Sequence, residues 1–169
     1  MITLKNGTVL SQWDNSVIFP IDLDFPQKFD LYSQFGENAY GFVYRLSFYD
    51  TKGNKYKYIG RKNLFTERKR NFGKKELALI TDKRLKTYEM VKKESDWLKY
   101  YSSNKKIKEL VASGEVKFIQ RSIVDIAYSK KELTYLETKA LFDFDVLKDD
   151  YYLNDNILGK FYSKDFNYV

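Results

Sequence analysis

The 169-residue sequence contains no cysteine, no histidine and only two prolines. Without cysteine there is no disulfide and no thiolate zinc site, which suits a reducing, cytoplasmic compartment. Without histidine there is no imidazole base, no Ser-His-Asp or Cys-His triad, no His-ligated metal and no HNH-type chemistry. Any catalyst must draw on Tyr, Lys, Arg, Asp, Glu, Ser, Thr or a bound ion. No apolar run is long enough to span a bilayer. The N-terminal stretch MITLKNGTVL lacks the charged-then-apolar order of a signal peptide.

What is present is a 43% apolar fraction, enough for a single-domain core, and 15 tyrosines. The net charge of +7 is unevenly spread: residues 1–40 and 109–169 each carry −3, and residues 52–108 carry +13. A basic middle between mildly acidic ends is the footprint of a polyanion-binding surface, nucleic acid first among candidates. A solvated Lys-rich face is the plain alternative.

Both prolines, Pro20 and Pro26, fall in residues 1–39, which read as an N-terminal arm or extension. From Tyr40 the pattern sharpens. In YGFVYRLSFY, Tyr40, Phe42, Tyr44, Leu46 and Phe48 share one face at period two, DTKGN supplies a turn, and KYKYIG is the returning strand. Opposing Tyr49 to Lys55 places Tyr44 across from Gly60 and Leu46 across from Tyr58. Gly60 then leaves room beside Tyr44 for an approaching group. NLFTERKRNFG reads as a short helix carrying Arg68, Lys69 and Arg70, and residues 72–93 as loop or irregular helix. Ser103 is placed to cap a helix through Ile107 and Leu110 that stops at Gly114. EVKFIQRSIVDIA is a third strand, and the capping box from Ser129 to Glu132 opens a helix to about Val146. The expected fold class is α+β, a small three-stranded antiparallel sheet flanked by helices. The expected domain covers residues 40–169, with a basic insert around 69–102.

Four features carry chemistry. Tyr44 and Tyr58 share a sheet face, as catalytic phenols or as ordinary cross-strand packing. Arg68, ten residues after Tyr58, can hold phosphate oxygens or stand solvated in the RKR run. Glu137 interrupts an apolar stripe of Leu133, Ala140 and Phe144, and needs a divalent ion or a basic partner. Asn154 and Asn156 can orient a phosphate or form an Asx turn. Trp97, ahead of Tyr100 and Tyr101, either stacks on a base or packs the insert onto the sheet. Lys57, Arg61, Lys62, Arg70, Lys74 and Lys75 are the expected nucleic-acid contacts.

The order Tyr, Tyr, Arg, Glu, Asn resembles the GIY-YIG nucleases over about Tyr40 to Tyr162, with Phe42-Val43-Tyr44 for the first element and Tyr58-Ile59-Gly60 for the second. The stretch ESDWLKYYSSN through LNDNI is similar to small tailed-phage members of that family. The resemblance implies a metal-dependent DNA endonuclease of phage or mobile-element type. It implies Tyr44, Tyr58, Arg68, Glu137 and Asn154 or Asn156 as catalytic residues, and Glu137 as ligand of one Mg²⁺ (or Mn²⁺). The implied products carry a 5′-phosphate and a 3′-hydroxyl, and the expected substrate is double-stranded DNA. Tyr44 is the candidate base, acidified by a nearby cation. The alternatives are a non-catalytic nucleic-acid-binding protein on the same scaffold and a protein whose Lys-rich middle meets an acidic partner.

Overall fold

The computed structural model describes residues 38–97, 100–116 and 118–166, residue 118 by its backbone alone. Nearer the N-terminus it describes the backbone of three short strands, Ile2–Thr3 (β1), Val9–Leu10 (β2) and Ser16–Pro20 (β3). Apart from Asn38 and Ala39, the rest of the expected arm lies outside the described residues. Further on come Gly41–Tyr49 (β4), Lys55–Asn63 (β5), Phe65–Asn71 (β6), Lys74–Ala78 (α1) and Tyr88–Glu94 (β7). Lys105–Ala112 (α2), Phe118–Ala127 (β8), Lys130–Asp143 (α3), Asn156–Ile157 (β9) and Phe161–Tyr162 (β10) complete the order.

The α+β fold stands as expected: β8, β4 and β5 form an antiparallel sheet with β4 in the middle, and β3 joins along the outer edge of β8. The hairpin register is the one the alternation dictates, with Tyr49 opposite Lys55, Leu46 opposite Tyr58 and Tyr44 opposite Gly60. Asp50 builds the turn. One carboxylate oxygen accepts from the Lys52 and Asn54 amides at 2.9 and 2.8 Å, and the other from Asn54 Nδ2 and the Tyr56 hydroxyl. Gly53 supplies the left-handed residue at φ +85°.

Period-two alternation splits the core into two layers. Phe42, Tyr44, Leu46 and Phe48 of β4 join Ile119 and Ile123 of β8 on one face, covered by Trp97, Ile107 of α2 and Val116. Val43, Ile59 and Ala127 line the other face against Leu133, Ala140 and Leu141 of α3 and Tyr152 and Ile157. Tyr40, expected with the even residues, precedes the strand and packs with this second layer. Gly41 lets α3 come close, since a Cβ there would sit 2.8 Å from Leu133 Cδ2 and 2.5 Å from the Lys62 carbonyl.

α3 starts where the capping box places it: the Ser129 hydroxyl accepts from the Glu132 amide, and the Glu132 carboxylate accepts from the Tyr128 amide at 2.7 Å. It ends at Asp143, slightly before the expected Val146, and Asp145 turns the chain at φ +48°. α2 is capped by Asn104 rather than Ser103: Asn104 Oδ1 accepts from the Ile107 amide. Gly114, at φ +74°, stops it as expected.

The helix expected over NLFTERKRNFG is absent. The segment is β6, paired antiparallel with β7. TERKRN has no apolar stripe for a helix to bury, whereas the ribbon sets Glu67 opposite Lys92 and Arg70 opposite Glu89. Residues 72–93, expected as loop or irregular helix, hold the short α1 and then the returning strand.

Candidate functional site

The site grows from the β4–β5 pair. The β4–β8 register shifts between Val43 and Tyr44, a bulge of the kind that re-aims a side chain. The Tyr44 ring lies across Gly60: a Cβ there would meet the Tyr44 hydroxyl at 2.5 Å and Tyr58 Cε1 at 2.8 Å. The room expected beside Gly60 is therefore filled by the two tyrosines themselves.

Tyr44 is 1% exposed. The Tyr44 and Tyr58 ring centroids are 6.4 Å apart, and Tyr100 stands edge-on to Tyr44 at 6.3 Å. Burial drives the Tyr44 phenol far above its ordinary value, and Tyr100 and Tyr58 add to that. Arg121 pulls the other way. Tyr58 is only half-buried. Burial raises its phenol, the Ser103 and Ser102 hydroxyls lower it by hydrogen bonding, and the negative charge of Glu137 raises it. Tyr100, Ser102 and Ser103 thus join the expected tyrosine pair. The YYSS run was the only sequence signal for them.

Glu137 is half-buried on α3, and its carboxylate lies 3.3 Å from Arg61 Nε. Arg61 Nη1 also donates to the Thr134 hydroxyl at 2.6 Å. Burial raises the Glu137 carboxyl and Arg61 counters it. Alternation along β5, the edge strand, sends Tyr58, Gly60 and Lys62 to the tyrosine side and Ile59 and Arg61 toward α3. Glu137 and Tyr58 thus lie toward opposite faces of that strand, and the carboxylate's charge still raises the Tyr58 phenol.

Arg68 is not in this group. It is exposed on β6, opposite Val91, about 13 Å along the strand from Leu64 at ~3.3 Å per residue. The guanidinium that meets Glu137 belongs to Arg61. Asn154 is buried and clamps the YIG strand: its Oδ1 accepts from the Ile59 amide and its Nδ2 donates to the Ile59 carbonyl, both at 2.8 Å. Asn156 accepts from the Gly159 amide, a turn contact.

The expected nucleic-acid contacts divide. Lys57 is engaged by Asp149 at 2.9 Å. Lys62 pairs with Asp96 and lies 3.8 Å above the Tyr100 ring. Arg70 is held between Glu76 and Glu89 at 2.7 and 2.6 Å. Lys74 and Lys75 are exposed on α1. Trp97 cannot stack on a base. It is 1% exposed, edge-on to Phe42 at 6.0 Å, with its indole N–H donating to Glu94 at 2.9 Å. Its apolar area is worth more in the core than in water.

Beneath the tyrosines lies a residue the sequence did not single out. Arg121 of β8 is fully buried, 5.1 Å from the Phe42 ring and 5.8 Å from the Trp97 ring. Its Nη1 donates to the Trp97 and Tyr100 carbonyls at 2.8 and 3.0 Å. It pins the segment that carries Tyr100. Burial lowers the guanidinium's proton affinity, yet a guanidinium keeps its charge at neutral pH, so a cation sits below Tyr44.

Among the described residues no three acidic side chains gather as a ready-made metal cage, and no helix is long and apolar enough to cross a membrane. No curated protein and no solved structure matches the chain. The family model described as "Putative endonuclease segE, GIY-YIG domain" matches residues 26–157, most of the chain. That match spans the β4–β5 hairpin, which sets Tyr44 diagonally across from Tyr58 of an intact YIG, and the chain belongs to the GIY-YIG endonuclease domain family of segE type.

Proposed function

We propose that this chain is a divalent-metal-dependent endonuclease acting on double-stranded DNA, of the phage or mobile-element kind, working in the host cytoplasm. The cleaved phosphodiester would leave a 5′-phosphate and a 3′-hydroxyl. Residues 40–169 would form the nuclease domain and residues 1–39 an extension that lends β3 to the sheet edge. The observation that carries the reading is the packing of the Tyr44, Tyr58 and Tyr100 rings at the YIG strand, with Glu137 paired to Arg61 of that strand, inside a GIY-YIG match.

Glu137 is the residue that would hold the ion. One half-buried carboxylate, already favouring a nearby cation, suits Mg²⁺ or Mn²⁺ that keeps most of its waters. When bound, the ion would neutralise charge on the phosphoryl oxygens and acidify groups beside it. The chain's own residues supply the rest. Tyr58, the more accessible phenol, orients the attacking water or a phosphate oxygen. Tyr44 is the candidate base, a role open to it only as the phenolate, which burial disfavours and a cation such as Arg121 or a bound ion would favour. Arg61 is placed to neutralise a phosphate oxygen at the Glu137 side. Asn154 keeps the YIG strand in position.

The burial of Tyr44 favours a second reading, a non-catalytic DNA-binding protein on the same scaffold. One experiment separates them. Supercoiled plasmid is incubated with the protein in Mg²⁺, Mn²⁺ or EDTA and the ends are mapped. The nuclease reading expects scission with either metal, none in EDTA, and loss of scission in Glu137→Ala with DNA affinity kept. Retention of DNA by a wild-type protein that never cuts would leave the binding reading.

A further inference from the structure

The β6–β7 ribbon buries almost nothing. Only Phe65 and Tyr88, the first residue of each strand, are partly buried; the other twelve strand residues are exposed. A two-stranded ribbon without an apolar face is marginal in water. Here it is held by charge. Arg70 ties β6 to Glu89 of β7 and to Glu76 of α1, and Lys92 and Lys69 lie 4.1 Å above the Phe65 and Tyr88 rings. The root is fixed as well: the Ser95 amide donates to the Leu64 carbonyl at 2.9 Å and the Ser95 hydroxyl to the Asn63 carbonyl at 2.6 Å. Only Leu64 separates β6 from β5, the strand that carries YIG.

We infer that this ribbon is a docking element that enters the major groove of duplex DNA next to the cutting site, using Lys69, Lys92 and Lys93 together with Arg68. The inference rests on the DNA-endonuclease reading. Three observations support it. The acids of the ribbon are largely taken: Glu89 and Glu76 by Arg70, Glu94 by the Trp97 indole, while Glu67 faces Lys92. Residues 65–94 carry ten basic and five acidic side chains, and the positive excess therefore points outward. A lysine above an aromatic ring keeps its full charge for a phosphate.

Size selects the groove. Two strands about 5 Å apart, with side chains on both faces, fill a groove about 12 Å wide and exceed one of about 6 Å. Seven residues at ~3.3 Å each run about 23 Å, roughly seven base-pair steps. The deep, narrow major groove of A-form RNA excludes the same ribbon. Arg70, expected as a DNA contact, is on this account the internal brace that keeps the ribbon straight.

The test uses the full chain in EDTA, so that binding is read without cleavage. Affinity for duplex DNA is measured against salt for the wild type and for the triple variant Lys69→Gln, Lys92→Gln, Lys93→Gln, which leaves the Arg70 brace intact. The expected result is affinity weakened by about tenfold or more and a log–log salt slope shallower by about three. On the wild-type complex, methylation of guanine N7 in the major groove should block binding beside the cut, whereas methylation of adenine N3 in the minor groove should not. Unchanged affinity and slope in a folded variant, interference confined to adenine N3, or equal competition by duplex RNA would each overturn the inference. Groove interference by a wild-type protein that fails to cut in Mg²⁺ would uphold the ribbon and defeat the nuclease reading instead.

Discussion

The central sheet and the β6–β7 ribbon that follows its β4–β5 hairpin are held by opposite means. In the sheet, β4 is buried on both faces and order comes from apolar area, with Phe42, Leu46, Ile119 and Ile123 fully or almost fully withdrawn from water. In the ribbon nearly every side chain is exposed, and order comes from ion pairs and ring–cation contacts that water and salt weaken. The difference assigns the work. A rigid sheet can hold hydroxyls in register, whereas a solvated ribbon can meet a polyanion without first being uncovered.

The sharpest way to break the comparison is to remove a single oxygen from the sheet. Tyr44→Phe should lower plasmid cleavage by about 10²- to 10⁴-fold while the melting temperature and DNA affinity stay close to wild type. Unaltered cleavage would remove Tyr44 from the reaction. Next in size, Trp97→Ala should cost roughly 3–5 kcal/mol in denaturant unfolding, as a core residue does. A loss of affinity with no loss of stability would instead return Trp97 to the DNA surface. Asn154→Ala should cost about 2–4 kcal/mol, because both polar groups of Ile59 lose their buried partner. Cleavage should fall along with the folded fraction.

Smaller effects belong to the exposed elements. Arg70→Ala should leave the global unfolding midpoint unchanged but speed amide hydrogen exchange along β6 and β7 relative to β4 and β8. Uniform protection across both regions would show the ribbon to be part of the sheet's cooperative unit. The smallest expected effect is one of pH. Hydrogen bonds from Asn54, Lys52 and Tyr56 hold the Asp50 carboxyl below its ordinary value of 3.8. Its contribution is therefore present above about pH 4 and lost as pH falls through the lowered folded value. Asp50→Asn should flatten the acid side of the stability profile, and an unchanged profile would place the acid sensitivity elsewhere.

Much of the sheet was legible because its signals are local. Alternation in YGFVYRLSFY and an odd turn with Asp50 and Gly53 put Tyr44 and Tyr58 on one face, and opposing Tyr49 to Lys55 brings Tyr44 across from Gly60. The Ser129–Glu132 box marks the start of α3 within a residue. Glu137 was legible as an anomaly, an acid on an apolar stripe, but its partner was not: Arg61 is 76 positions away in sequence. The ribbon was misread because TERKRN has neither helical nor strand periodicity, and its partner strand lies beyond a 16-residue connection.

By itself, the sequence determined the reaction chemistry open to this protein. With no histidine or cysteine, it is left with Tyr, Lys, Arg, Asp, Glu, Ser, Thr or a bound ion, and the hairpin puts two of the phenols on one face. Tertiary structure decided which of them meet. Arg121 pins Tyr100 over Tyr44, Arg61 rather than Arg68 reaches Glu137, and Trp97 goes inside. The physical reason is range: backbone parity and capping act over a few residues, whereas desolvation and charge pairing act between whatever the closed chain brings together.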